Sequence, residues 1–150
     1  VDRHRHEDLM CLFDQTFSES ENTRLIRGEE EPVYLPASTQ CHYHQVVFAH
    51  GYFSSALHEI AHWCVAGPDR RMLEDFGYWY KPDGRTVDEQ ALFEKVEVVP
   101  QAFEWILSMA AGFTFRISAD NLSGQARDNT GFIAKVLKEV PRRLVVVLLE

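Results

Sequence analysis

The chain has 150 residues, of which 45% are hydrophobic, and carries a formal net charge of −8 from 15 Lys and Arg against 23 Asp and Glu. This composition fits one globular domain over residues 1–150. No apolar run is longer than Leu144–Leu149, which is far below the ~20 residues that cross a bilayer. We therefore expect a cytoplasmic protein without membrane association. The negative charge repels polyanions and attracts cationic partners, so direct binding of nucleic acid is not expected.

The N-terminal part of the chain predicts one helix followed by a small sheet. Apolar residues recur at helical spacing among charges from about Glu7 to Phe17. After a polar break, Gly28, Pro32 and Pro36 separate three short β-prone segments. These strands are predicted at Thr23–Ile26, Val33–Leu35 and Gln45–Ala49.

The middle of the chain predicts the strongest helices. The clearest helix spans Phe53–Ala66, where the hydrophobic period is 3.6 and Gly67-Pro68 is a stop signal. The following elements are a turn at Pro82-Asp83-Gly84, a short helix around Asp88–Phe93 and a separate helix from about Pro100 to Ala111, ended by Gly112.

The C-terminal part predicts a strand at Phe113–Ser118 and a helix at Phe132–Val140, whereas the β-branched run Leu144–Leu149 fits either type. Taken together, the segments predict an α+β fold in which helices pack with a small sheet.

A candidate metal site lies in the clearest predicted helix. Residues 58–62 read His-Glu-Ile-Ala-His, the HExxH pattern. Residues four apart lie on the same face of a helix, so the imidazoles of His58 and His62 can converge on one cation. Glu59 lies about 100° around the helix, close enough to act as a catalytic base on a metal-bound water.

Two imidazoles need a third ligand to fix a metal. No histidine follows His62, so the extended HExxHxxGxxH form is absent. The preferred third ligand is Glu97, an acid between two valines, because a carboxylate in an apolar segment usually has a partner. Glu94 is the alternative, expected to be exposed, and Asp75 and His50 are weaker candidates.

The donor set alone leaves the chemistry open. Two histidines and one carboxylate suit a non-haem Fe(II) oxygenase, and they equally suit a zinc hydrolase of peptides or RNA in which Glu59 is the general base. A non-catalytic structural site would usually be closed by four ligands, commonly including cysteine.

Blocks of sequence around the HExxH pattern carry a family resemblance. The blocks are Asn22–Ile26, Glu31–Ala37, Val47–Gly51, His58–Cys64, Asp75–Tyr80 and Val96–Ala102. Together they resemble the bacterial elongation factor P hydroxylase family over about Asn22 to Leu122, while the part from about Ser123 does not match.

The resemblance implies iron-dependent hydroxylation of the β-lysylated lysine of elongation factor P, a post-translational modification that supports translation. It implies Fe(II) and molecular oxygen as cofactors, elongation factor P as the partner and a metallohydrolase-like α+β fold. His58 and His62 carry over as ligands.

Four further residues are candidates for binding the substrate side chain. A protein with net negative charge suits a long cationic side chain. Tyr78 and Tyr80 could contact that side chain through cation–π interactions, with packing in the core as the alternative. The Asp75 carboxylate could receive its ammonium group, with a helix-end or turn carboxylate as the alternative. His50 is the fourth candidate, with a core or capping role as the alternative.

Overall fold

A computed structural model of the chain describes residues 4–78, 83–118 and 130–149. The chain forms two compact units, Val1–Tyr78 and Trp79–Glu150. Four helices and one three-stranded sheet occur among the described residues, so the predicted α+β class is confirmed. That residues 1–150 act as a single domain stays a prediction.

The first unit contains the sheet. Its strands are β1 (Thr23–Arg27), β2 (Val33–Leu35) and β3 (His44–Phe48), each within one or two residues of the predicted segment. β3 lies in the middle and pairs in parallel with β1 and antiparallel with β2. Side chains alternate between the two faces of a strand, so β1 buries Thr23 and Leu25 and exposes Arg24.

Two helices pack in the same unit, α1 (His6–Phe17) and α2 (Phe53–Arg70). Aromatic rings connect them: the ring of Trp63 lies 5.2 Å from Phe13 and 4.8 Å from Phe17, measured between centroids. Trp63 is only 2% exposed. Trp63 therefore fixes α2 against α1 in the core of this unit.

The predicted stop of the HExxH helix is present as a break inside α2. Gly67 has φ 78° and ψ 172°, far from helical values and in a region that is essentially restricted to glycine. A break leaves carbonyl groups of the preceding turn without their helical donors. The Arg71 side chain satisfies one of them, because its Nε donates to the Trp63 carbonyl at 2.9 Å while its guanidinium stacks over the Trp63 ring at 3.8 Å.

The second unit contains α3 (Val87–Ala111) and α4 (Thr130–Leu149). The prediction of two helices separated before Pro100 is wrong, because α3 runs through Pro100 without interruption. Thr86 begins the helix with a reciprocal capping box to Glu89, and Gly112 ends it with φ 66° as predicted.

The core of this unit explains why α3 continues. Phe93, before Pro100, and Ala102, after it, belong to one buried cluster with Phe132 and Val136 of α4. Burying both halves of α3 against the same partner outweighs the cost of proline in a helix, about 3 kcal/mol. α4 contains the predicted helix at 132–140 and extends through the run at 144–149 whose type the sequence left open.

The strand predicted at Phe113–Ser118 is absent; this segment has no regular secondary structure. The backbone N–H and carbonyl of Ser118 form hydrogen bonds with the side chain of Gln101 instead of with a neighbouring strand. Phe115 stacks on Trp105 of α3, with 4.9 Å between ring centroids. Among the described residues, no helix is long and apolar enough to span a membrane.

Candidate metal centre

α2 presents His58 and His62 on one side of the first unit. The helix is held in place by the burial of four apolar side chains near the histidines. Each is at most 6% exposed: Ala56, Leu57, Ile60 and Ala61. Both histidines are only half-buried. The helix is therefore anchored by its apolar side while its imidazoles remain partly accessible.

The two imidazoles converge. Nε2 of His58 and Nε2 of His62 are 3.1 Å apart, and the ring centroids are 4.7 Å apart. Two nitrogens that each lie about 2.1 Å from one metal ion are about 3.0 Å apart at a right angle and about 3.4 Å apart at a tetrahedral angle. The observed separation lies between these values, so the pair fits a shared metal ion; it also suits a hydrogen bond between the rings if one Nε2 carries a proton.

Glu59 follows His58 directly on α2 and is half-buried. Cys64, two positions after His62, has a thiol whose pKa burial raises to about 11. A thiol that stays protonated is a poor metal ligand. In this part of the chain, therefore, the groups suited to hold a metal are the imidazoles.

Glu97 lies in the second unit, on α3. Residues 96–98 are part of this helix, so Glu97 and its two neighbouring valines do not alternate between two faces as they would in a strand. Glu97 is nevertheless 1% exposed, which agrees with the expectation of a buried acid. Glu94, expected to be exposed, is only 6% exposed, so burial alone does not separate the two acids. The reason is the helix: residues three apart share a face, so Glu94 and Glu97 are buried together.

These acids belong to a buried polar stripe along α3. Its members are separated alternately by four and three residues and are each at most 7% exposed: Gln90, Glu94, Glu97, Gln101, Glu104 and Ser108. Gln101 donates through Nε2 to Oε2 of Glu97 at 3.2 Å. Gln101 is not among the predicted site residues, although its position four residues after Glu97 is a usable signal.

Asp75, a candidate for receiving the substrate ammonium, lies in a short 3₁₀ turn, Glu74–Gly77. Its Oδ1 accepts from the backbone N–H of Tyr34 at 2.9 Å. Asp75 and Phe76 both have positive φ, 50° and 58°, and the Phe76 ring stacks on Tyr34 with 4.2 Å between centroids. The carboxylate therefore has a structural contact that connects the turn to β2, which agrees with the alternative of a turn carboxylate, although the Tyr34 partner was not predicted.

The other substrate candidates lie at exposed positions or outside the described residues. Tyr78 is 39% exposed, and the guanidinium of Arg70 lies over its ring at 4.1 Å. His50 is exposed, with φ 59° and its ring 5.8 Å from the ring of Tyr52, so the alternative of a core histidine is wrong. Tyr80 lies outside the described residues.

Comparisons with known proteins agree with the family resemblance of the sequence blocks around the HExxH pattern. The sequence model of the family described as elongation factor P hydroxylase matches residues 12–148. A protein of Haemophilus influenzae named elongation factor P lysine hydroxylase is 56% identical over 137 residues, which cover 91% of this chain and 77% of that protein. The expectation that the chain diverges from about Ser123 is wrong, because the family match continues past that point. The chain belongs to the elongation factor P hydroxylase family.

Proposed function

We propose that this protein hydroxylates the β-lysylated lysine of elongation factor P, using an Fe(II) ion held by His58, His62 and Glu97. The observation that carries the proposal is family membership, with 56% identity to a relative named elongation factor P lysine hydroxylase. The converging imidazoles support it, because they provide two of the nitrogen ligands that iron and zinc sites share.

Two imidazoles and one carboxylate form a donor set that can hold a metal ion. The iron would supply the activation of molecular oxygen, which makes the enzyme a monooxygenase in this proposal. Glu97 is the proposed carboxylate ligand, with Glu94 as the alternative, and the amide of Gln101 donates a hydrogen bond that orients the Glu97 carboxylate. A buried carboxylate whose orientation is fixed by a donor is suited to bind a cation.

Glu59 is proposed as the catalytic acid–base group, holding or moving a proton at its carboxylate beside the metal ligands. Tyr78, Tyr80, His50 and Asp75 remain the proposed substrate-binding residues. Of these, Asp75 already uses one carboxylate oxygen for the Tyr34 backbone, and one face of the Tyr78 ring already carries Arg70. The net charge of −8 supports a cationic substrate side chain and no direct role for nucleic acid.

A cytoplasmic location is proposed because the substrate is a translation factor. A metallohydrolase-like arrangement of the fold is proposed from the family and from the HExxH helix. The family membership favours hydroxylation over zinc-dependent hydrolysis of peptide or RNA.

The deciding experiment is anaerobic reconstitution of the metal-free protein with Fe(II) or Zn(II), followed by exposure to oxygen and a chemical reductant with β-lysylated elongation factor P, since placing one oxygen atom on the lysine and reducing the other to water consumes two electrons. Mass spectrometry should find a gain of one oxygen atom on the modified lysine with iron and none with zinc. Activity with zinc alone, or no gain with either metal, would overturn the proposal.

The histidines are tested in the same assay. His58→Ala or His62→Ala should abolish metal binding and hydroxylation while circular dichroism stays close to that of the parent, because neither histidine is part of the buried side of α2. His42→Ala is the matched control, since this exposed histidine of the same unit lies outside the proposed site. Stoichiometric metal in either ligand variant would contradict the assignment.

A further inference from the structure

The buried amide of Gln101 makes three hydrogen bonds in the second unit. Its Nε2 donates to Glu97 Oε2 and to the carbonyl of Ser118, and its Oε1 accepts from the backbone N–H of Ser118 at 3.0 Å. Gln101 is fully buried, with 0% of its surface exposed. These bonds use both protons of the amide and connect Glu97 to the backbone of Ser118, which lies seventeen positions after Gln101.

The backbone of Ser118 determines which way round the amide lies. A carbonyl can only accept and an N–H can only donate, so Nε2 must face the Ser118 carbonyl and Oε1 must face its N–H. Rotating the amide by 180° would place two acceptors against each other and two donors against each other. Because the orientation of the amide is fixed, the second proton of Nε2 faces Glu97. The amide oxygen of Gln101 cannot face Glu97 instead.

We propose that Gln101 is a positioning residue for the metal ligand Glu97: the amide, oriented by Ser118, holds one carboxylate oxygen of Glu97 and fixes the rotation of that carboxylate. This inference rests on the proposed function, in which Glu97 binds the metal. A donor on Oε2 removes the freedom of the carboxylate to turn, so less order has to be created when a cation binds. The segment ending at Ser118 thereby influences the metal site without contributing a ligand.

The test variant is Gln101→Met, which keeps the approximate length of the side chain and removes all three hydrogen bonds. Gln90→Met is the matched control: Gln90 is a buried glutamine of the same stripe, 3% exposed, whose Oε1 accepts from Arg85 Nε at 2.6 Å. Both variants lose a buried amide from α3, so both should unfold at lower temperature. Gln101→Asn is a second test variant that retains the amide on a side chain too short to reach both partners.

The measurement is titration of each full-length, metal-free variant with Co(II), followed by its visible absorption, with repeat titrations using Fe(II) under anaerobic conditions. Loss of a group that orients a metal ligand typically weakens metal affinity by about 10-fold to 100-fold. Gln101→Met and Gln101→Asn should show a loss of that size and a changed Co(II) spectrum, whereas Gln90→Met should stay within about 2-fold of the parent. Parental affinity in both Gln101 variants would overturn the proposal and leave Gln101 as a structural brace alone.

A double variant tests whether Gln101 acts through Glu97. In a Glu97→Gln background, adding Gln101→Met should cause no further loss of Co(II) affinity. A full additional loss would overturn the inference, because Gln101 would then act on the metal by another route. Failure of the proposed function is seen separately, as a parent protein that binds metal normally and adds no oxygen to elongation factor P.

Discussion

Asp75 provides the most discriminating test of how the turn at residues 74–77 is held. Its carboxylate accepts from the Tyr34 backbone N–H, which points away from the neighbouring strand β3, and its own φ of 50° is in the left-handed region. Two substitutions test these features together, one that keeps both and one that removes both. Asp75→Asn keeps an oxygen acceptor and the tolerance of asparagine for left-handed backbone, whereas Asp75→Ala loses both.

The expected magnitudes follow from these contacts. A hydrogen bond to a charged acceptor contributes about 1.5–3 kcal/mol, and alanine in a left-handed conformation costs roughly 1 kcal/mol more than aspartate or asparagine. Asp75→Ala should therefore lower the free energy of unfolding by about 2–4 kcal/mol and Asp75→Asn by about 1 kcal/mol or less. For a chain of this size, each 1 kcal/mol corresponds to about 2–4 °C in Tm.

The assay is thermal and urea unfolding of the metal-free variants, kept in chelator so that metal binding does not contribute. Equal destabilisation by alanine and asparagine, or a loss below about 1 kcal/mol for alanine, would refute the reasoning. The hydroxylation assay then tests the proposed contact with the substrate ammonium. If Asp75 binds that group, Asp75→Asn should raise the KM for β-lysylated elongation factor P although the fold is kept; an unchanged KM would leave Asp75 with the structural role alone.

Three further predictions concern the acids of the site and the sheet. Glu97→Gln should weaken Fe(II) binding about 10-fold or more while Glu94→Gln changes it little, and the reverse ranking by titration would move the ligand to Glu94. The parent should cut neither RNA nor casein under conditions in which it modifies elongation factor P; hydrolysis that Glu59→Gln abolishes would favour the zinc hydrolase. Burial raises the pKa of Tyr34 above its usual value of 10.0, so the unfolded chain releases this proton first and stability should fall as pH rises above about 10. Tyr34→Phe should flatten that fall in urea midpoints measured from pH 8 to 11, and an unchanged slope would contradict this account.

The first unit could be predicted closely because its local signals agree with one another. Turn residues such as Gly28 and Pro32 separate the short strands, and the stop signal at Gly67 coincides with the observed break in α2. The HExxH spacing also predicted that His58 and His62 converge, since that depends only on helix geometry. What the pattern could not give was the contact between Asp75 and Tyr34, which joins residues 41 positions apart.

The second unit was predicted less well because tertiary packing overrides its local signals. Pro100 is a common first residue of a helix, yet it lies in the interior of α3, where the cluster shared with α4 stabilises both sides of it. Because two separate helices were predicted on either side of Pro100, the polar stripe was not predicted. Its alternating spacing of four and three residues continues through Pro100 and is visible only along one helix. Had the spacing from Gln90 to Ser108 been followed as one helix, the burial of Glu94 beside Glu97 would have been expected.

The break at Gly67 limits how the sequence of this helix can vary. An L-Cβ atom added to Gly67 would meet no atom within 4 Å, so crowding excludes nothing at this position. The obstacle is chirality: φ 78° and ψ 172° are the mirror image of extended backbone that every L-residue adopts easily. A D-residue introduced by chemical ligation would reach this conformation as readily as L-residues reach its mirror image. Among the encoded amino acids, only the achiral one ends the helix of His58 and His62 in this way without strain.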